Sequence, residues 1–381
     1  MKIGVACSGL GHVQRGIESW AKALAEGLHR EGQDMVLYHG GGQFECENVQ
    51  LDFAKRGDGL PRRLERYAPG FTWRWGWKSA YAYEQHSFAR ALIAGLKQSG
   101  CDVVHTQDPV VADDLEKARR AGKISCPAIL GHGTNEDTGY LERFRYLQHI
   151  SPAHEAVARD ALGDRVRHFC IPNFIDTDLF SPRPDRAWRT ECRQKFGVPE
   201  DRFVIGCAGV LASTIKRMDS LIPEVAGIQN VRRDAYLLLA GAATGETPAI
   251  RAEAARSLGD QCRILEDLPF EDMPDFYGAL DLLVLPCCIE TFGIVLLESM
   301  AMGVPVVAHD SPTLKWVVGN GGWCTPVDRP GFLQESWPMI EACYESRRKE
   351  CRGHVQRMFS WRAVYPQLSA MYRDVVAVPR S

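Results

Sequence analysis

The chain has 381 residues, 45% of them hydrophobic and 24% charged, enough for two soluble domains with full cores. A formal charge of −3 gives no overall pull toward nucleic acid. No apolar run approaches about 18 residues, so no helical membrane span is expected.

Thirteen scattered cysteines form no CxxC pair and no His/Cys cluster at zinc spacing. The adjacent Cys287 and Cys288 read as small strand-end residues, and free thiols fit a reducing compartment. The run "KIGVAC" from Lys2 is too short for the apolar core of a secretion signal. The expected location is the cytoplasm.

In chain order, "KIGVAC" predicts a strand, "SGLGH" a glycine loop, and the next segment a helix. Ile17, Trp20, Ala21, Leu24 and Leu28 recur at three- and four-residue steps and form one apolar face. Gly32 stops that helix and "DMVLYH" supplies the next strand, a βαβ unit. Further strands are expected at "DVVHT" (102–106) and "PAILGH" (127–132). The second half repeats the logic with "FVIGCAG" (203–209), "AYLLLAG" (235–241), "RILED" (263–267), "LLVLP" (282–286) and "VPVVAH" (304–309). Helices are expected over 216–228, 248–257 and 293–302. Apolar runs without alternation belong to parallel strands covered on both faces. The fold class is therefore α/β, with two doubly wound Rossmann-like domains facing a cleft. The break is expected in the polar, proline-containing segment "LFSPRPDRAW" (179–188).

Ligands of such sheets meet the loops after the strands. One of these loops opens the nonapeptide "ETFGIVLLE", from Glu290 to Glu298. Its helix is apolar on nearly every side, so its amino end offers unpaired N–H groups and a positive dipole inside the protein. Gly293 lets an anion approach that backbone closely. Glu298, within the apolar helix, should accept hydrogen bonds, and neighbouring sugar hydroxyls match its two oxygens. Glu290 could meet another part of the same ligand. The bland alternative is an N-terminal acid beside a satisfied core glutamate. Lys216 and Arg217 follow the first strand of the second half and could face a diphosphate, since cations at a helix start oppose the dipole.

These motifs together resemble the retaining glycosyltransferases of family 4, which have the GT-B fold. The family's E-x7-E pattern matches "ETFGIVLLE", with "ALDLLVLP" before it and "SMAMGVPVVA" after it. "IPNFIDTDLFSP" resembles the hinge segment, and "DVVHTQDP" and "GHGTNED" resemble strand-end motifs of the first domain. The resemblance runs from Lys2 to about Gly322. It implies an acceptor-binding domain over 1–180, a nucleotide-sugar-binding domain over 181–360, and a C-terminal helix over 361–381 crossing back to the first. It also implies roles. Glu290 would contact the donor sugar and Glu298 the ribose hydroxyls. Lys216 and Arg217 would neutralise the diphosphate, helped by N–H groups near Phe292, Gly293 and Ile294. Gly9 and Gly11 would let their loop close over the phosphates, and backbone near Asp267 and Leu268 would meet the base. His105 and His132 would line the acceptor side; taken alone, His132 reads equally as a core or loop histidine.

The implied reaction moves a hexose from a nucleotide sugar, UDP-linked first and GDP-linked second, to an acceptor hydroxyl with retention. In the front-face route the leaving diphosphate helps to take the acceptor proton. The implied co-substrate is the nucleotide sugar, with no metal or other cofactor. The acceptor could be a small molecule, a glycan or a lipid-linked carrier. The chain departs from the pattern at Val210, where arginine is common, at Arg217 and Thr291, where glycine is common, and at Gln107, where a second histidine is common.

Trp73, Trp75 and Trp77 alternate within "GFTWRWGWKSAYAY" (70–83). They suit an acceptor wall, a membrane-interface patch giving peripheral contact at the inner membrane face, or core packing. An NAD-dependent oxidoreductase fits poorly, because Gln14 stands where the third glycine belongs and His39–Gly40 where an acid should end the second strand. "DTD" (176–178) could be a metal motif but reads better as a turn. The alternative on the same fold is a sugar-nucleotide-binding protein or an epimerase.

Overall fold

The computed structural model describes residues 1–13, 16–67, 79–133, 136–183, 185–214 and 216–378. The chain divides into two compact units, Met1–Asn173 with Val364–Ser381, and Phe174–Ala363. Among the described residues no helix is long and apolar enough to cross a membrane.

The first unit is built on β1 (Ile3–Ala6), β2 (Met35–His39), β3 (Asn48–Gln50), β4 (Val103–Thr106), β5 (Ala128–His132), β6 (Tyr146–His149) and β7 (Arg167–Cys170). All pair in parallel in the order β3-β2-β1-β4-β5-β6-β7. Between the strands run the helices α1 (Gly16–Arg30), α2 (Gly59–Tyr67), α3 (Ala80–Ser99), α4 (Pro109–Arg120), α5 (Thr138–Leu141) and α6 (Pro152–Leu162). Helix α1 buries Trp20, Ala21, Leu24 and Leu28, the face its periodicity predicts. Helix α3 is capped by Ser79, whose side chain accepts from Ala82 N, and ends at Gly100 with φ 66°. Its Phe88 and Leu92 pack with Tyr38 of β2 and Val104 of β4. Each such fully buried side chain contributes roughly 1.5–3 kcal/mol.

The second unit contains β8 (Phe203–Val210), β9 (Ala235–Ala242), β10 (Cys262–Glu266), β11 (Leu282–Val284), β12 (Val306–His309) and β13 (Gly322–Thr325), in the order β10-β9-β8-β11-β12-β13. All its strand pairs are parallel. Its helices are α7 (Arg186–Phe196), α8 (Leu221–Ile228), α9 (Thr247–Ser257), α10 (Met273–Ala279), α11 (Ile294–Ala301), α12 (Pro312–Val318) and α13 (Phe332–Met358). Helix α14 (Trp361–Ala377) follows, and from Val364 onward it belongs to the first unit.

Both sheets reverse direction once. In the first the chain moves outward from β1 to β3 and returns at β4, so the loops after β1 and β4 part there. In the second the same switch falls between β8 and β11. Open parallel sheets bind ligands at such points, outside the carboxyl ends of the strands.

Candidate active site

At the switch of the second unit, the loop after β8 delivers Lys216 and the loop after β11 delivers Glu290. Glu290 Oε2 accepts from Lys216 Nζ at 2.7 Å, and Oε1 accepts from the backbone N–H groups of Gly293 at 3.1 Å and Phe292 at 3.5 Å. The amino end of α11 therefore seats an anion, and that anion is the protein's own carboxylate. Burial acts to lower the Lys216 pKa, but the charge and hydrogen bond of Glu290 outweigh it and raise it. A charge-assisted bond of this kind is worth about 1.5–3 kcal/mol. Gly293 caps the helix with φ 80° and ψ 60°, a left-handed geometry natural to glycine. The Phe292 ring is buried against Phe359 at 6.0 Å, and Ile294 is half-buried.

Arg217 is placed differently from the expectation. Neither it nor Lys216 opens a helix, because Arg217 has φ 50° and ψ 35°, and α8 begins only at Leu221 after a short turn over Met218–Ser220. Its Nη1 donates to Val327 O at 3.0 Å, to Pro286 O at 3.4 Å and to Cys288 Sγ at 2.8 Å. That end of the guanidinium ties the loop after β11 to residue 327, so Lys216 carries the ion pair while Arg217 braces the loop. Among the described residues, Arg217 and Asp267 are the two non-glycine positions with positive φ. Asp267, at φ 52°, accepts Ala243 N–H on Oδ1 at 3.0 Å and holds the turn that presents the half-buried Leu268. Such conformations persist where the surroundings enforce them.

Glu298 lies in the second turn of α11 and is 7% exposed. The Tyr277 hydroxyl of α10 donates to its Oε2 at 2.6 Å. Burial raises the carboxyl to about 7, against the lowering effect of the tyrosine bond. One of its two oxygens is thus engaged within the protein, which narrows the expected two-oxygen grip on a diol. Sequence reasoning missed Tyr277 as a partner. At the far end of α11, Arg352 of α13 donates from Nη1 to Ala301 O and Phe180 O, and from Nη2 to Thr177 O and Ser181 Oγ. In the "DTD" segment, Asp176 Oδ1 accepts from the N–H groups of Asp178 and Leu179 at 2.9 and 3.2 Å, a turn role.

In the first unit, His105 is 0% exposed on β4, with Nδ1 2.8 Å from the Tyr372 hydroxyl of α14 and its ring edge-on to Trp20. Burial pushes it down to about 3, so it is a neutral core histidine and not a surface of the acceptor side. Gly9 and Gly11 answer to packing: a Cβ would lie 2.0 Å from Glu18 Oε1 at Gly9 and 2.0 Å from Gly41 O at Gly11. Gln107 donates from Nε2 to Asn173 Oδ1 at 3.0 Å. His132 sits 6% exposed at the end of β5, among other histidines. Trp73 and Trp75 lie outside the described residues.

A family model described as glycosyl transferases group 1 matches residues 202–336. A D-inositol 3-phosphate glycosyltransferase of Saccharomonospora viridis is 31% identical over 299 residues, covering 74% of this chain and 66% of that protein. Sucrose-phosphate synthase from Thermosynechococcus elongatus superposes with a TM-score of 0.79 at 20% identity, over 99% of this chain and 100% of that one. Anabaena HepE in complex with UDP-glucose gives 0.73 at 17% identity, over 98% and 100%. The chain belongs to the glycosyl transferase group 1 family, with the GT-B fold. Alignments with the first curated relatives span 54%, 66% and 55% of their lengths, between half and two thirds.

Proposed function

We propose that this protein is a retaining glycosyltransferase that moves a hexose from a nucleoside diphosphate sugar to an acceptor hydroxyl. UDP-sugars are the first choice of donor and GDP-sugars the second. The observation that carries this reading is Glu290 lying on the Gly293 amide and the Lys216 ammonium, because a carboxylate seated there marks where a phosphate can sit. HepE, which shares the fold, was solved with UDP-glucose, which supports the donor class.

In this reading the second unit binds the donor and the first presents the acceptor. The diphosphate takes the seat on Gly293 and Lys216, and Glu290 turns to the hydroxyls of the transferred sugar. The Glu298 oxygen not held by Tyr277 accepts from the ribose. The bond between the anomeric carbon and the phosphate oxygen breaks on the face where the acceptor oxygen bonds, and the acceptor proton passes to the departing diphosphate. Lys216 and the α11 amides stabilise the charge that develops on the leaving group. The acceptor class is a polyol or glycan hydroxyl, in line with the names of curated relatives, D-inositol 3-phosphate glycosyltransferase and a lipopolysaccharide core mannosyltransferase.

Thermal-shift measurements against UDP-, GDP- and ADP-sugars test the donor, since a ligand that binds the folded state raises the melting temperature. Release of nucleoside diphosphate on adding a polyol or glycan acceptor tests transfer. No stabilisation by any nucleotide sugar overturns the reading.

A further inference from the structure

Phe203 opens β8 and Asp281 stands just before β11, so both lie at the amino edge of the second sheet. Lys216 and Glu290 follow the other ends of these same strands, and β8 alone runs for eight residues, about 25 Å. Residues of α7, α13 and that amino edge line a hollow of about 340 Å³, a size that suits a small molecule. Apart from Phe203, every side chain lining it is charged, and five are arginines. The reaction described above uses none of them.

The floor of the hollow is fixed. Arg193, 4% exposed, donates from Nη2 to Asp281 Oδ2 at 2.8 Å, from Nε to Ala279 O at 3.2 Å and from Nη1 to Glu200 O. Asp281 Oδ2 also accepts the Val204 N–H at 2.7 Å, and its Oδ1 accepts from Arg189 Nη2. One carboxylate is thus shared by two guanidiniums. Burial, then the charge of Arg189, lower the Arg193 pKa, and Asp281 does not make up the difference.

The walls are different. Arg202, Arg232 and Arg348 bring three more guanidiniums, and none of them makes a side-chain hydrogen bond among the described residues. Arg232 Nε lies 2.9 Å from Asp234 Oδ1 but off the hydrogen-bonding direction, and Arg202 Nε, shielded from water, is 3.9 Å from Asp201 Oδ1. Guanidinium donors left unmet beside one another suit a phosphate, which takes two parallel N–H bonds from each fork. The carboxylates of Asp201 and Asp234 would repel a bare polyanion but accept from hydroxyls. The guanidinium of Arg232 covers the Phe203 ring at 4.4 Å, so the one aromatic face in the lining is taken and a nucleobase has nothing to stack on. We propose that this hollow binds a phosphorylated sugar or polyol, with the phosphate on Arg202, Arg232 and Arg348 and the hydroxyls on Asp201 and Asp234. The site is separate from the anion seat at Gly293 and does not depend on the transfer reaction.

Titration calorimetry of the full chain in low-salt buffer tests the site, with glucose 6-phosphate, inorganic phosphate and glucose as probes. Glucose 6-phosphate should bind at least about tenfold more tightly than inorganic phosphate, roughly one hydrogen bond to a charged group, and glucose should give no heat. Equal affinity for the two phosphates overturns the hydroxyl contacts, and no binding of either overturns the site. Arg348→Glu alters an exposed side chain, so the melting temperature should hold while glucose 6-phosphate binds at least about tenfold more weakly. Arg202→Gln combined with Arg348→Gln should abolish binding; wild-type affinity in both variants overturns the inference. Lys216→Ala locates the phosphate, because it strips the cation from the anion seat on the far side of the sheet. It should leave glucose 6-phosphate binding within twofold, and a loss as large as in the arginine variants puts the phosphate at that seat and overturns the hollow. If no nucleotide sugar stabilises the protein but glucose 6-phosphate binds as expected, the transfer reading fails and the hollow stands.

Discussion

Tyr277 and Glu298, on successive helices α10 and α11, share a hydrogen bond of 2.6 Å between two buried side chains. The tyrosine cannot easily ionise: burial and the neighbouring carboxyl push it well above its usual range. It therefore stays a donor, and it holds Glu298 Oε2 in one place.

Glu298 should make the protein less stable as pH rises. In the unfolded chain the group loses its proton near 4.5, but in the folded state it keeps it to about 7. Between those values the folded state binds the extra proton, so folding stability falls by roughly 3 kcal/mol across the window and levels off above it. Glu298→Gln should remove this slope, giving a higher melting temperature than wild type at pH 8 and little difference at pH 5. Parallel pH dependences for the two proteins would contradict the assignment.

Lys216→Ala should weaken turnover strongly. It removes the ammonium at the anion seat and leaves Glu290 without its cation. The expected loss in kcat/KM is about 10²–10³-fold, roughly 3–4 kcal/mol, with the fold intact by circular dichroism. Rates within threefold of wild type would remove Lys216 from the leaving-group site.

Glu290→Ala should separate binding from transfer. The seat is held by this carboxylate, so its removal clears the Gly293 amide and deletes a like charge. UDP alone should then bind several-fold more tightly by calorimetry, while sugar transfer falls by about 10²-fold or more. Weaker UDP binding in the variant would show that Glu290 does not compete with the phosphate.

Gly293→Ala should be costly twice. The residue sits at φ 80°, and an added Cβ would lie 2.8 Å from Leu296 Cδ1. A destabilisation of about 1–2 kcal/mol is expected from the left-handed backbone alone. The methyl would also crowd the anion seat, so donor affinity should drop beyond what urea melts account for.

Much of the second unit was legible because its strands are continuous apolar runs: β8, β9 and β12 fall within "FVIGCAG", "AYLLLAG" and "VPVVAH" to within a residue or two. Strands β6 and β7 escaped because Gln148, His149 and His168 break the apolar pattern, although all three are buried. Strand β3 is a three-residue exposed edge with no hydrophobic signal. The meeting of Lys216 with Glu290 could be read from their places after strands at one sheet end. The 3₁₀ turn before α8 could not, since nothing in "TIKRMDS" announces a left-handed arginine. Tyr277 lay hidden in a stretch whose apolarity accounts for it without a partner. His105 looked functional because a strand-end histidine carries no mark of burial, and the helix that covers it begins more than 250 residues later.

The guanidinium of Arg352, far along the chain from either glutamate, closes the carboxyl end of α11 at Ala301. A cation there offsets the negative pole of an eight-residue helix whose positive pole faces the anion, about 12 Å away. A survey of mutations restricted to substrate-touching positions would pass over it, yet charge reversal at 352 should loosen nucleotide binding while altering no direct contact.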